Sequence, residues 1–542
     1  MKIHYSVLFF AILLVFNVKA QDVTFTSTPI ASENAFVLGA ADLNGDFLDD
    51  LIDPTDDNLM IFYQTSDGFD LVNIPITATN FPRWSMSVGD FDANGINDIM
   101  FGGTQGVSFL QSNDEGTVFT ETEESDIFVL SQRTNFIDIN NDGYLDAFVC
   151  HDIQPNVYWL NDGTGGFLDE IQGGLGDTPT GHDYGSLWFD YDNDGDMDLH
   201  ISKCVLGSDD INDPRRNNQL HRNNGDGTFT EVAAEAGIDT NTQSWSSAVG
   251  DFDNDGDMDL VVADEHEDEI GTLFFINNGD GTFDDITEGT IWETQDGARD
   301  IVTFDFNNDR YLDIYSGLDT SLIINNGDMT FSENPEQIPG NGAVGDFNND
   351  GFLDIYTQGD IRMNDGNENN WFKLNLVGSE SNRNGIGAII TIESDFGRQI
   401  RNVRSGEGFY NMHSLNPHFG LGADTTIDQL TIQWPSGTID TIQNIPVNQT
   451  VLAVEGNLTL NVDRNSLKTQ ITLYPNPVTN ELKISTTTTL NSQVKVYDAL
   501  GRSAIITTVN NSINVSELSS GIYYLELTTY DGEKVIRKFI KE

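Results

Sequence analysis

The chain has 542 residues, with 25 Lys and Arg against 87 Asp and Glu, a formal charge of −62. That balance excludes nucleic acid as a partner, because binding phosphates requires a basic footprint. Beyond the first twenty residues no apolar run is long enough to make a membrane-spanning helix, so no transmembrane segment is expected.

Residues 1–20 read as a secretory signal. Lys2 and His4 precede an apolar run from Tyr5 to Phe16, and Val18 and Ala20 supply small residues at a cleavage site. Export would deliver the chain to a medium in which extracellular modules bind Ca2+ with dissociation constants of about 10⁻⁴–10⁻³ M.

Residues 21–368 carry seven copies of a nine-residue Asp-rich pattern, of which DFDNDGDMD, Asp251 to Asp259, is the fullest. Oxygen-bearing side chains fall at positions 1, 3, 5 and 9 of every copy. In chain order they are Asp42, Asn44, Asp46 and Asp50; Asp90, Asp92, Asn94 and Asp98; Asp138, Asn140, Asp142 and Asp146; Asp190, Asp192, Asp194 and Asp198; Asp251, Asp253, Asp255 and Asp259; Asp305, Asn307, Asp309 and Asp313; Asp346, Asn348, Asp350 and Asp354. Hard cations such as Ca2+ take six to eight oxygens, and a tight loop can present them, so these residues are the candidate metal ligands and up to seven Ca2+ ions are expected. An EF-hand would end on Glu at position 12, where this chain has Phe101 or Val262, and the flanks read as short buried strands. Each loop should therefore be the tip of a β-hairpin. Position 6 favours glycine, but the first copy has Phe47 there, with its glycine shifted to Gly45, and the sixth has Arg310, so these two sites are expected to be weakest. The fourth and fifth copies, with four carboxylates each, should bind best.

The copies recur about every 50 residues, the signature of a propeller or solenoid. Turn-and-strand segments such as Asn223 to Val232 and Asn277 to Ile286 lie between the loops. The last copy lacks such a strand, and one stands at the other end of the region, Val23 to Thr26. The expected fold is all-β: a seven-bladed β-propeller closed by its N-terminal strand, which leaves only short edges exposed. These residues resemble the FG-GAP/VCBS repeats of the integrin α-subunit propeller family. The resemblance implies calcium loops on a lower face and ligands approaching the opposite, upper face.

Cys150 and Cys204 are the two cysteines. Export permits a disulfide between them, but sequence cannot set their separation. His151 and His200 nearby invite a zinc reading, which two cysteines without CxxC spacing support poorly.

From 369 to 456 the Asp loops stop and strand-rich sequence follows. Ser381 to Ala388 (SNRNGIGA), Gly420 to Gly422 and Trp434 to Gly437 (WPSG) resemble the ASPIC/UnbV domain. His413 and His418 are expected to pack within this β domain. A linker, 457–469, leads to a small β-sandwich at 470–542. Its landmarks, Leu473 to Pro477, Val496 to Arg502 and Leu518 to Tyr524, resemble the C-terminal sorting domain of the type IX secretion system. That resemblance implies the secretion machinery as a partner and a secreted or outer-membrane-surface location.

Counting back from each loop places Arg83, Trp84, Arg133, His182, Tyr184, Trp245 and Arg299 near the upper rim, with Glu265, His266 and the stretch from Lys203 to Asn217 beside them. Aromatic rings among polar groups suit a glycan or protein ligand. The expected function is therefore a non-enzymatic, calcium-binding recognition or adhesion protein. The alternative is an extracellular polysaccharide lyase or hydrolase on the same scaffold, for which no nucleophile or zinc-protease motif is found.

Overall fold

The structure, a computed structural model, describes residues 21–457 except 34–36, 67, 114, 123–126, 177–180, 206, 209, 211, 265–270, 295–298 and 317–321. Beyond these it describes 471–474, 478–486, 490–498, 503–508, 512–516, 518–519, 521–529 and 534–541. The expected signal at 1–20, the expected linker at 457–469 beyond its first residue, and Glu265 and His266 lie outside the described residues. The chain forms two compact units, Met1–Leu460 and Asn461–Glu542.

Among the described residues of the first unit, seven four-stranded antiparallel sheets follow one another. Sheet 2 is typical: Ser85–Gly89, Asp98–Gly102, Val107–Ser112 and Phe119–Glu121, paired in chain order. Its first two strands are buried throughout and its outer strand is partly exposed, which follows from their apolar and polar compositions. Sheet 7 combines Gly342–Gly345, Asp354–Thr357 and Asp360–Asn364 with a strand from the far end of the chain, Phe25–Pro29. Phe25 pairs with Asn364 and Pro29 with Asp360, so the N-terminal strand completes the last sheet, as the sequence predicts. The innermost strand of sheet 7 also packs on that of sheet 1, Gly39–Ala41. The fold is a β-propeller.

Segment 369–456 belongs to the same compact unit. Asn370–Val377 lies between His418–Gly422, antiparallel, and Gln449–Val454, parallel. A second sheet orders Arg398–Asn402, Ile389–Ser394, Thr426–Gln433 and Ile439–Pro446. Two of the motifs quoted above meet at one carboxylate. Glu455 accepts the backbone N–H groups of Ser379, Glu380 and Ser381 and the hydroxyls of Ser381 and Ser436. Burial opposes its charge, but these donors outweigh burial and bring its pKa down to about 2.

Between Val403 and Ser414 this segment leaves its sheets and runs as a finger among the innermost strands of the propeller. Ser405 bonds to Val88 and bridges to Phe136; Met412 bridges to Gly39; the Ser414 N–H donates to Val344 O at 2.9 Å. The finger fills the place where the sheets converge, and sequence reasoning did not anticipate it.

The described residues of the second unit form two sheets. One is Ile471–Tyr474, Glu481–Thr486 and Ser512–Asn514; the other orders Ser503–Thr508, Leu490–Asp498, Gly521–Thr529 and Lys534–Lys541. Val478, Leu482, Val494, Val496, Ile513 and Leu525 form their shared core. No helix among the described residues is long and apolar enough to cross a membrane.

Candidate metal centres and ligand surface

Every Asp loop joins the first and second strands of its sheet, and its ninth residue begins the second strand. Position 1 folds the turn. One oxygen of Asp90, Asp138, Asp190, Asp251, Asp305 and Asp346 accepts the position-6 N–H at 2.8 to 3.2 Å, and Asp42 does the same with Phe47. The backbone is left-handed at position 6 in every copy, including Phe47 at φ 67° and Arg310 at φ 91°. Position 4 is also left-handed throughout, so Gly45 occupies its own regular place and does not relieve Phe47. The Arg310 guanidinium stacks on Phe396 at 4.3 Å and donates to Leu421 O at 3.1 Å.

Position 9 has a second role that the pattern did not reveal. One oxygen of Asp259 accepts the Phe252 N–H at 3.0 Å, and the other accepts the N–H of Asn277, at the end of the third strand, at 3.0 Å. Asp50, Asp98, Asp146, Asp198, Asp313 and Asp354 repeat this staple. The Asn277 side chain then donates to Met258 O in its own sheet and to Tyr191 O in the preceding one. Asn161, Asn325 and Asn364 make the same cross-sheet bond, to Phe91 O, Phe252 O and Phe306 O. The recurrent Asn before each Gly turn was the available sequence signal for this link.

The donor set fits a hard cation. Ligand oxygens of Asp90, Asp92 and Asp98, of Asp190, Asp192 and Asp194, and of Asp251, Asp253 and Asp255 converge to within 4.8 Å of one another. One oxygen each of Asp90, Asp192 and Asp346 is buried without a hydrogen-bond partner, a costly arrangement that a cation would relieve. Burial, then neighbouring carboxylates and opposing backbone donors, sets the acidities. The pKa of Asp98 is raised to about 8 and that of Asp198 to about 9; Asp190 and Asp251 reach about 7 and Asp90 about 6. Clustered, desolvated carboxylates at neutral pH call for protons or a divalent ion.

The expected rim residues separate into two groups. Arg133 is fully buried: its guanidinium donates to the carbonyls of Phe409, Asn411 and Met86 and so grips the finger. Asp300, nearby, accepts the Phe409 N–H at 2.6 Å. Tyr184 and Trp245 are also buried, packed on Phe409 with ring centroids 6.2 and 4.9 Å away. Arg133, Tyr184 and Trp245 are thus spent holding the finger, since its tip covers them. Arg83 and Arg299 are exposed, and Arg299 lies over the Trp245 ring at 4.7 Å. Trp84 and Tyr410 are half-buried against the same cluster. His182 is half-buried beside Asp152 and Arg215. Tyr410, from the fingertip, is the residue the sequence reading missed.

Cys150 and Cys204 are buried thiols that form no disulfide, and burial pushes the Cys150 pKa well up. His413 accepts the Val344 N–H and His418 bonds to Gly351 O; burial lowers both to about 4, as packing histidines require.

Family models match three regions: FG-GAP-like repeat at 138–201 and 205–262, ASPIC and UnbV at 378–459, and a secretion system C-terminal sorting domain at 472–542. The chain carries FG-GAP-like repeats, an ASPIC/UnbV domain and a type IX sorting tail. Human cartilage acidic protein 1 is 28% identical over 268 residues, 44% of this chain and 40% of that protein; the mouse protein is 25% identical over 268 residues, 44% and 41%. The match thus spans about two fifths of these relatives' length. Among solved structures, an Agrocybe aegerita lectin specific for non-reducing terminal N-acetylglucosamine aligns over 62% of this chain and 88% of its own, at 17% identity and TM-score 0.40. The sorting tail marks the chain for type IX export, to the cell surface or into the medium.

Proposed function

We propose that this is a non-enzymatic extracellular binding protein, exported behind a signal at 1–20. Its FG-GAP propeller is clamped by Ca2+ in the Asp loops and recognises a glycan or protein at the rim opposite those loops. The observation that carries the calcium reading is the convergence of three Asp triads, with buried carboxylate oxygens left over to face an ion. Bound Ca2+ would supply the positive charge that these turns lack. The carboxylates orient around it, and the position-9 staples hold them in place.

For the ligand surface, support comes from Trp84 and Tyr410, half-buried, flanked by exposed Arg83 and Arg299. Flat apolar faces beside guanidinium donors suit a sugar ring or an acidic side chain. The test is a glycan-array and surface-protein binding screen with the mature chain in millimolar Ca2+. Trp84→Ala and Arg299→Ala should each weaken the best ligand at least tenfold. Unchanged binding by both variants would overturn this surface. Release of unsaturated ends from an anionic polysaccharide would overturn the non-enzymatic reading.

A further inference from the structure

The seventh loop differs from the others in one contact. Lys373, from the ASPIC/UnbV strand Asn370–Val377, places its ammonium 2.7 Å from Asp346 Oδ2 and 3.1 Å from Asn349 Oδ1. Asp346 is the position-1 carboxylate, fully buried, and the Lys373 side chain is 4% exposed. Among the described residues no other cation lies within hydrogen-bond distance of a position-1 carboxylate; the next, Arg383, stands 3.8 Å from Asp90 and is far more exposed. Trp371 packs directly over Gly351 of the same loop, and His418 bonds to its carbonyl, so the same segment that carries Lys373 is docked on this loop by three side chains. Asp346 Oδ1 remains buried and without a partner, so the loop still offers an oxygen to an ion.

We propose that Lys373 is a built-in counter-cation that makes the seventh loop the weakest and last-filled calcium site of the propeller. A buried ammonium already compensates the carboxylate that an arriving Ca2+ would use, and it repels the ion at short range where solvent screens little. The sequence pattern ranks the loops otherwise: DFNNDGFLD has its position-6 glycine and looks better than the first and sixth copies. Lys373 arrives from a strand outside the loop, so the nine-residue pattern alone cannot register it. The consequence is a division of labour. The seventh sheet, which holds the N-terminal strand, stays closed on a side-chain cation, and the triads of the second, fourth and fifth loops depend on calcium.

The inference rests on the calcium reading above, and titration separates the two. Ca2+ binding to the mature chain is followed by calorimetry and by Tb3+ luminescence, with metal content checked after dialysis. In Lys373→Met, one site should tighten by about tenfold or more, moving from the weak class to the tight one. Asp346→Asn is the second variant, in case Lys373→Met folds poorly. It should leave the number of tight sites unchanged, whereas Asp251→Asn should lower it by one. Tight sites lost equally in Asp346→Asn and Asp251→Asn, or a Lys373→Met isotherm superimposable on that of the native chain, would overturn the assignment and leave the calcium reading standing. No bound metal in the native chain would overturn both.

Discussion

At the scale of single residues, the nine-residue pattern mixes two jobs that share one residue type. Asp259 is buried, with both oxygens engaged by backbone N–H groups, while Asp253 is exposed and points into the triad. Asp259→Asn puts an amide NH2 against an N–H donor. It should cost about 2–4 kcal/mol even in EDTA, because buried donors lose their acceptor. Asp253→Asn should cost under about 1 kcal/mol in EDTA, as surface changes do, and should lose its share of the calcium stabilisation. Thermal melts of both variants with and without calcium would distinguish the roles; equal losses would refute the division. The same carboxylates set a pH dependence. Their folded-state values, about 6 for Asp90, 7 for Asp251 and 8 for Asp98, lie above the usual 3.8. Protonation therefore stabilises the ion-free fold fully below about pH 4, and that stability is lost as pH rises through about 6 to 8. In EDTA the melting temperature should fall from pH 5 to pH 8.5, and the gain from added calcium should grow over the same range. An ion-free protein that becomes more stable with rising pH would contradict this.

Elements were legible where local chemistry decides them. Loops, hairpins and the closing strand follow from Asp spacing, short apolar runs and a missing outer strand, and Phe25 does pair with Asn364. The finger was not legible, because nothing in RSGEGFYNMH, Arg404 to His413, has a period or a turn signal that names its destination. Its location is decided by long-range contacts with Arg133 and Asp300. Those contacts also decide which of the expected rim residues are buried. The fingertip covers three of the residues chosen for lying at the ends of the first strands: Arg133, Tyr184 and Trp245. Phe409 is fully buried among Tyr184, Trp245 and Tyr410. Phe409→Ala should destabilise the first unit by about 3–5 kcal/mol, the cost of a large aromatic cavity. It should also raise hydrogen exchange at 404–413 above that of the neighbouring strands. Exchange there unchanged from the native chain would mean that the finger is held without its aromatic tip. Cys150 and Cys204, both buried and outside any disulfide, should react with a thiol reagent only after denaturation.

Across the whole molecule, the charge of −62 and the fold pull against each other, since seven turns gather carboxylates at one end of their sheets. Cations offset this in two ways. Lys373 and Arg383, from the ASPIC/UnbV segment, reach Asp346 and Asp90. Calcium would serve the three converging triads. A site with free calcium at ten times its dissociation constant gains about 1.4 kcal/mol, so three give about 4 kcal/mol. That is a large part of the ~5–15 kcal/mol that holds a domain together. Excess EDTA should therefore lower the melting temperature of the first unit by about 4–5 °C. The sorting tail, a separate compact unit without an Asp loop, should melt at the same temperature in EDTA and in calcium. Differential scanning calorimetry of the full chain reads both transitions in one experiment. A first-unit transition indifferent to EDTA would mean that the side-chain cations and the position-9 staples hold the propeller without any ion.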